Sequence, residues 1–179
     1  MYTDFYGIID VNYIKLNSPI AATLQDEFID PYIVMAQEKH LLPILGTTLY
    51  NDIQSQISDY INSGTSISDT YILLINNYLK NTLLHWSLYE LLPFCNYKIT
   101  NIAIAKKSSE FSQPSDLSEM NYLRNSIKST AQFYSERLEE HLKMNYTLYP
   151  KFYEYTQNTD TTTPQKTNTF CGIYLGKNI

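Results

Sequence analysis

A mainly α-helical bundle is the fold class this sequence predicts, and three patterns predict it. Leu49, Ile53, Ile57 and Ile61 recur every fourth residue, which lays one apolar stripe along a helix. Over 69–92 apolar residues occupy nearly every face (Ile72, Leu74, Ile75, Leu79, Leu83, Leu84, Trp86, Leu88, Leu91, Leu92), the mark of a helix surrounded by others. Leu117, Met120, Leu123, Ile127, Tyr134, Leu138 and Leu142 then keep a second apolar face to about Asn145. About four helices therefore make the body, with a short extended or β segment and a long flexible C-terminal arm.

Taken in order, residues 1–18 carry few helix signals and an extended, partly apolar pattern. A first helix over 31–42 starts at Asp30-Pro31, where Asp30 caps free N–H groups and Pro31 tolerates the first position. Pro43 stops it. Gly46-Thr47 is a break and a new cap, and Asn62-Ser63-Gly64 ends the second helix, with Gly64 free to turn left-handed. Ser68-Asp69 opens the third, which runs to 92 and stops before Pro93. Over 97–107 the helical period vanishes and Ile102-Ala103-Ile104 alternates, as in a strand or extended arm. Ser115 or Asp116 with Glu119 forms a capping-box pattern for a last helix over 116–145.

Residues 1–155 thus read as one helical domain with an extended N-terminal segment. Residues 156–179 read as a linker and an arm. Half of 156–169 is threonine and none of it is apolar, so it cannot bury a core. Apolar character returns in Phe170-Cys171-Gly172-Ile173-Tyr174-Leu175. Phe170, Ile173, Tyr174 and Leu175, with the aromatic residues Phe152, Tyr153 and Tyr155, are the candidate contacts to a partner chain.

Composition narrows the function. The 179 residues suffice for one domain with a substantial core, and 44% of them are hydrophobic. A net charge of −5 argues against a chain devoted to gripping phosphate backbones. Abundant Asn, Ile, Lys and Tyr fit codons drawn from an AT-rich genome. The 17 tyrosines also suit surfaces that become buried on association. Two distant cysteines, Cys95 and Cys171, do not make a disulfide scaffold. The N-terminus lacks a signal-peptide pattern, and 71–95 is too polar for a membrane span, so the chain is expected to be made in a cytoplasm.

Candidate chemistry is sparse. His40, His85 and His141 are far apart and lack the spacing of helical zinc sites. For His85, beside Trp86, a satisfied core histidine is preferred to a buried switch, and Glu139-Glu140-His141 reads as a solvated helix face rather than a ligand set. The five glycines are dispersed, so no phosphate loop exists. Neither a cofactor nor a metal is expected, and no catalytic residue is assigned. Lys98, Lys106 and Lys107 are the one basic cluster. They read first as a solvated hairpin tip, and in a ring of copies they would line a channel.

The segment "PYIVMAQEKHLLPILGTTLYNDI", residues 31–53, resembles a pattern in phage head–tail connector proteins. The matching residues are Ala36-Gln37, Leu45-Gly46 and Leu49-Tyr50. A long apolar helix, an extended stretch at 97–114 and a Leu-rich helix ending in "ERLEEHLKMNYTLYP" agree with it. The polar linker and "FCGIYLG" are similar to tails in connector-like proteins of crAss-like phages. The resemblance implies a structural virion protein without enzymatic residues, made in the host and placed in the neck at the head–tail interface. It implies a homo-oligomeric ring, commonly twelve-fold, that joins the portal to tail or neck proteins and extends the DNA channel. DNA would be met non-specifically at most, and no small-molecule substrate or membrane is implied. The residues also admit a helical protein-binding adaptor acting as monomer or dimer, and a small enzyme whose site assembles between subunits. Native mass separates the first two readings, and a bound ligand or metal would favour the third.

Overall fold

In a computed structural model, residues 7–20, 22–95, 97–99, 104–106 and 117–152 are described, with side chains excepted over 97–99 and 104–106 and at 117. The chain is mainly helical. Its elements are α1 (Val11–Asn17), α2 (Asp26–Ala36), a π-helical turn (Gln37–Leu41), α3 (Leu42–Leu45), α4 (Thr47–Ser63) and α5 (Asp69–Leu74). A second π-helical turn (Ile75–Leu79), α6 (Lys80–Cys95), β1 (Tyr97–Ile99), β2 (Ile104–Lys106), α7 (Leu117–Met144) and a closing 3₁₀ turn (Pro150–Phe152) follow. β1 and β2 pair antiparallel, with Lys98 opposite Ala105.

The axis of the body is α6, packed between α2 and α7. Leu83, Leu84, Trp86, Leu88 and Leu91 are all buried, which fits a helix apolar on every side. The two glycine breaks fall where expected. Gly46 has φ 75° and ψ 155°, a region that only glycine enters without strain, and it ends α3 while its carbonyl accepts from Tyr50 at the start of α4. Gly64 caps α4 in the left-handed conformation, its N–H donating to the Tyr60 carbonyl.

Four local expectations are corrected. Residues 11–17 are helical, not extended: the Asp10 carboxylate accepts from the Tyr13 N–H at 2.8 Å, and Val11 and Ile14 bury one face of the short helix. The first long helix begins at Asp26, with Asp26 and Glu27 in its first turn, so Pro31 lies inside it. Pro43 does not stop the helix. The preceding turn widens, with the Leu42 N–H bonding to the Gln37 carbonyl, and helix resumes through Pro43 to Leu45. Likewise α6 continues through Pro93 to Cys95. The capping-box residues Ser115 and Asp116 lie outside the described residues.

The widened turn aims Gln37 inward, 0% exposed. Its Oε1 accepts the Ile8 N–H at 3.3 Å, and its Nε2 donates to the Tyr50 hydroxyl at 3.0 Å. One amide therefore ties the N-terminal segment, the end of α2 and the start of α4. Replacement of Gln37 by Leu is expected to lower the unfolding free energy by about 2–4 kcal/mol, because it orphans a buried N–H and disturbs a buried hydroxyl. Tyr50→Phe should cost about 1 kcal/mol, and Gly46→Ala about 1–3 kcal/mol. Urea titrations monitored by circular dichroism measure all three, and a Gln37→Leu variant as stable as the parent would refute the linchpin role.

Candidate functional site

Two features stand out above the ordinary helical core: a polar cluster on α6 and a set of uncovered apolar residues. The cluster centres on Glu90, 6% exposed. Its Oε1 meets Lys39 Nζ and His40 Nε2, each at 2.7 Å. Lys39 and His40 are brought there by the first π-helical turn, which packs on α6. The His40 ring stacks on Trp86, with centroids 3.7 Å apart and planes 6° apart. The Trp86 indole N–H donates to Ser135 Oγ at 2.8 Å, and that hydroxyl donates to the Ala131 carbonyl at 2.9 Å. A continuous chain of contacts thus runs from Lys39 through α6 to α7.

Burial pushes the Glu90 carboxyl up, but the hydrogen bonds and charges of Lys39 and His40 outweigh it and hold the group below its ordinary value. Burial lowers the His40 pKa from 6.5, against the opposing pull of Glu90. His85 and His141 are lowered by burial too. His85 stacks on Tyr134 and His141 on Tyr78, with His141 also 3.0 Å from the Tyr149 hydroxyl. His141 is therefore half-buried in an aromatic contact, a correction to the solvated face expected for Glu139-Glu140-His141. Glu139 instead pairs with Lys143 one turn on.

The apolar set lies partly around a groove of about 500 Å³ between α4, the 64–68 connection and α5. Ile8, Ile57, Tyr60, Ile67, Ile72, Ile75 and Lys80 are among the residues that line it. Ile61 and Leu73, 59% and 60% exposed, extend the apolar surface on α4 and α5. A second exposed set, Tyr122, Leu123 and Phe133, lies along α7. The stripes read from periodicity are thus inward only in part: Leu49, Ile53 and Ile57 are buried, while Ile61, Ile72 and Leu123 are exposed.

The residues proposed from sequence for partner contact fare differently. Phe152 is corrected: at 2% exposure it is a core residue, drawn in by the 3₁₀ turn packed on α4. Lys98 and Lys106 fall on β1 and β2, where Tyr97 is opposite Lys106. Lys107, Tyr153, Tyr155, Phe170, Ile173, Tyr174 and Leu175 lie outside the described residues. No sequence signal marked the pairing of His40 with Glu90, 50 residues apart. Among the described residues no group of three or more His, Cys, Asp or Glu side chains is placed to hold a metal ion. None of the described helices is long and apolar enough to cross a membrane.

Residues 41–162 match DUF6712, a family of unknown function. The chain belongs to this family. The DUF6712 match takes in Leu45-Gly46, Leu49-Tyr50 and every element from α3 to the closing 3₁₀ turn, and it ends within the Thr-rich linker. Ala36-Gln37 lies before it, as do α1 and α2. No curated protein and no solved structure matches the chain.

The polar cluster gives a pH dependence whose sign is fixed. The fold keeps His40 below its ordinary 6.5, so stability present above that value is lost as the unfolded chain takes up the proton at lower pH. Glu90, also lowered, adds a further loss in the carboxylate range. Trp86 is the only tryptophan, so its fluorescence reports the transition. The urea midpoint is expected to fall between about pH 7.5 and pH 5, and to fall less in His40→Gln. Equal falls in the two proteins would show that His40 does not carry the effect.

Proposed function

We propose that this chain is a structural subunit that assembles with its own copies into a ring in the neck of a phage particle, joining the portal to the tail. The observation that carries the reading is the pair of exposed apolar sets on separate elements, Tyr60, Ile61, Ile72 and Leu73 on α4 and α5, and Tyr122 and Phe133 on α7. Head-to-tail contact between copies uses two different patches of one chain, and a closed ring covers both on every copy. The likeness of residues 31–53 to head–tail connectors supplies the setting and the expectation of about twelve copies. In this reading the body is a bundle of about four helices and the extended segment over 97–107 brings Lys98, Lys106 and Lys107 to the channel. Tyr153, Tyr155 and the arm then reach neighbouring chains. The chain performs no catalysis in this role.

Native mass spectrometry of the full chain, alone and with its cognate portal, is the direct test. A large cyclic oligomer in either sample is expected, and a monomer or dimer in both would refute the ring. A second measurement concerns the arm. Deletion of residues 164–179 should leave the melting temperature within about 2 °C of the parent while weakening assembly, since the deleted contacts belong to neighbours. A loss of several kcal/mol in the truncated chain would assign the arm to its own core instead.

A further inference from the structure

The end of α7 is fastened to the rest of the body through one imidazole ring. His141 lies in the last turn of α7. Its Nε2 is 3.0 Å from the Tyr149 hydroxyl, and its Nδ1 is 3.2 Å from Asn145 Nδ2. The same Asn145 Nδ2 donates to the His141 carbonyl at 2.9 Å, which fixes the amide nitrogen as the atom facing the ring. A donor opposite Nδ1 leaves no room for a hydrogen there. The ring is therefore neutral, with its hydrogen on Nε2, and it donates to Tyr149.

Tyr149 carries the fastening further. It is 2% exposed, as is Phe152, and the closing 3₁₀ turn packs on α4. The Tyr149 ring stacks on Tyr71 of α5, whose hydroxyl donates to Asp52 of α4. We propose that His141 is a proton-operated latch: the neutral ring holds residues 145–152 between α7 and α4, and a proton on Nδ1 releases them.

The release follows from the geometry. An imidazolium makes Nδ1 a donor aimed at another donor. Turning the Asn145 amide over would offer Nδ1 an acceptor, but it would set two oxygens face to face at the His141 carbonyl. Either way a contact at the end of α7 is lost. The surroundings act in the same direction. The titratable and charged groups that face the ring are Arg137 from its own helix, Tyr78 from the second π-helical turn, and Tyr149. None of the ion pairs among the described residues includes His141. Burial and the Arg137 charge hold the ring below its ordinary 6.5, so the closed latch is favoured above that value and weakens as pH falls below it. His40 differs, because its Nε2 faces the Glu90 carboxylate, a partner for the charged ring. The latch is a property of one chain and does not depend on the ring of copies.

Long-range ¹H–¹⁵N NMR of the full chain reads the tautomer and titration of His141, whose signals are assigned by their loss in His141→Gln. An Nδ1 without hydrogen at neutral pH is the expected result. Asn145→Ala removes the donor that favours the neutral ring, and should raise the His141 pKa. Tyr149→Phe removes the acceptor that favours the charged ring, and should lower it. Added solvent alone would raise both. Hydrogen exchange, expressed as protection factors, follows the release at the Leu148, Tyr149 and Phe152 amides, which are bonded within the segment. Their protection should fall between about pH 7.5 and pH 5, by at most about tenfold per pH unit, the limit for one proton. His141→Gln should abolish that fall. A hydrogen on Nδ1 at neutral pH, pKa changes of one sign in both variants, or an undiminished fall in His141→Gln would each overturn the latch.

Discussion

The buried amide of Gln37 is the constraint on which the architecture of the first half depends. An amide that is 0% exposed must find partners inside the protein, since an orphaned donor or acceptor there costs about 1–3 kcal/mol. It finds them in Ile8, 29 positions earlier, and Tyr50, 13 later. Both contacts depend on the π-helical turn, which rotates the chain after Ala36 and keeps helix running through Pro43 to Gly46. Gly46 then reverses the chain in a backbone state open to glycine alone, which carries α4 and Tyr50 back to the amide. Ala36-Gln37, Leu45-Gly46 and Leu49-Tyr50 are in this light one structural unit: a small residue for close packing, a buried donor–acceptor, a turn and its partner hydroxyl.

A second polar strut, at Glu90, does for α6 and α7 what Gln37 does for α2 and α4. Glu90 holds the π-helical turn to α6, and the stacked pair of His40 and Trp86 passes the contact on to Ser135. All three histidines lie face to face with an aromatic ring, and burial keeps each below its ordinary pKa. A neutral imidazole behaves there as a flat, mostly apolar plate with a polar edge. The tyrosines are used in a similar way. Tyr50, Tyr71 and Tyr149 turn their hydroxyls to Gln37, Asp52 and His141, while Tyr60, Tyr122 and Tyr146 remain exposed. Among the described residues, tyrosines therefore serve the interior as well as the surface.

What the sequence made legible follows from the range of each interaction. α4 could be read because its determinants are local: a glycine at each end and a four-residue apolar repeat. The same holds for α7, whose long apolar face extends over the span Leu117–Met144. α1 could not be read, because seven residues with β-branched members are helical only through Asp10 and the packing of Ile14. Prolines misled for a related reason. A proline forfeits one hydrogen bond, and at Pro31, Pro43 and Pro93 the surrounding packing outweighs that loss. The Glu90 cluster had no local signature, since its members are joined only by the docking of distant segments. Periodicity told which face of α4 turns inward, but not where cover stops, so Ile61 was read one turn too deep.

The distribution of polar and apolar groups separates what fixes the interior from what is left at the surface. Its interior spends polar side chains on fixing geometry: Gln37, Glu90 and Ser135 are buried and bonded to partners in other segments. Its exterior leaves apolar side chains uncovered, concentrated near the end of α4, the start of α5 and along α7. Contiguous exposed apolar surface is where association is most favourable, because each buried large side chain contributes roughly 1.5–3 kcal/mol. The two exposed sets differ in character. That on α4 and α5 borders a concave groove whose lining includes Lys80. That on α7 lies along a helix flank with Tyr122 at 79% exposure, and suits the flat contact of a second folded body. Two apolar sets of different shape on separate elements are not self-complementary, so contact between unlike patches is favoured over a symmetric pairing of either set with itself.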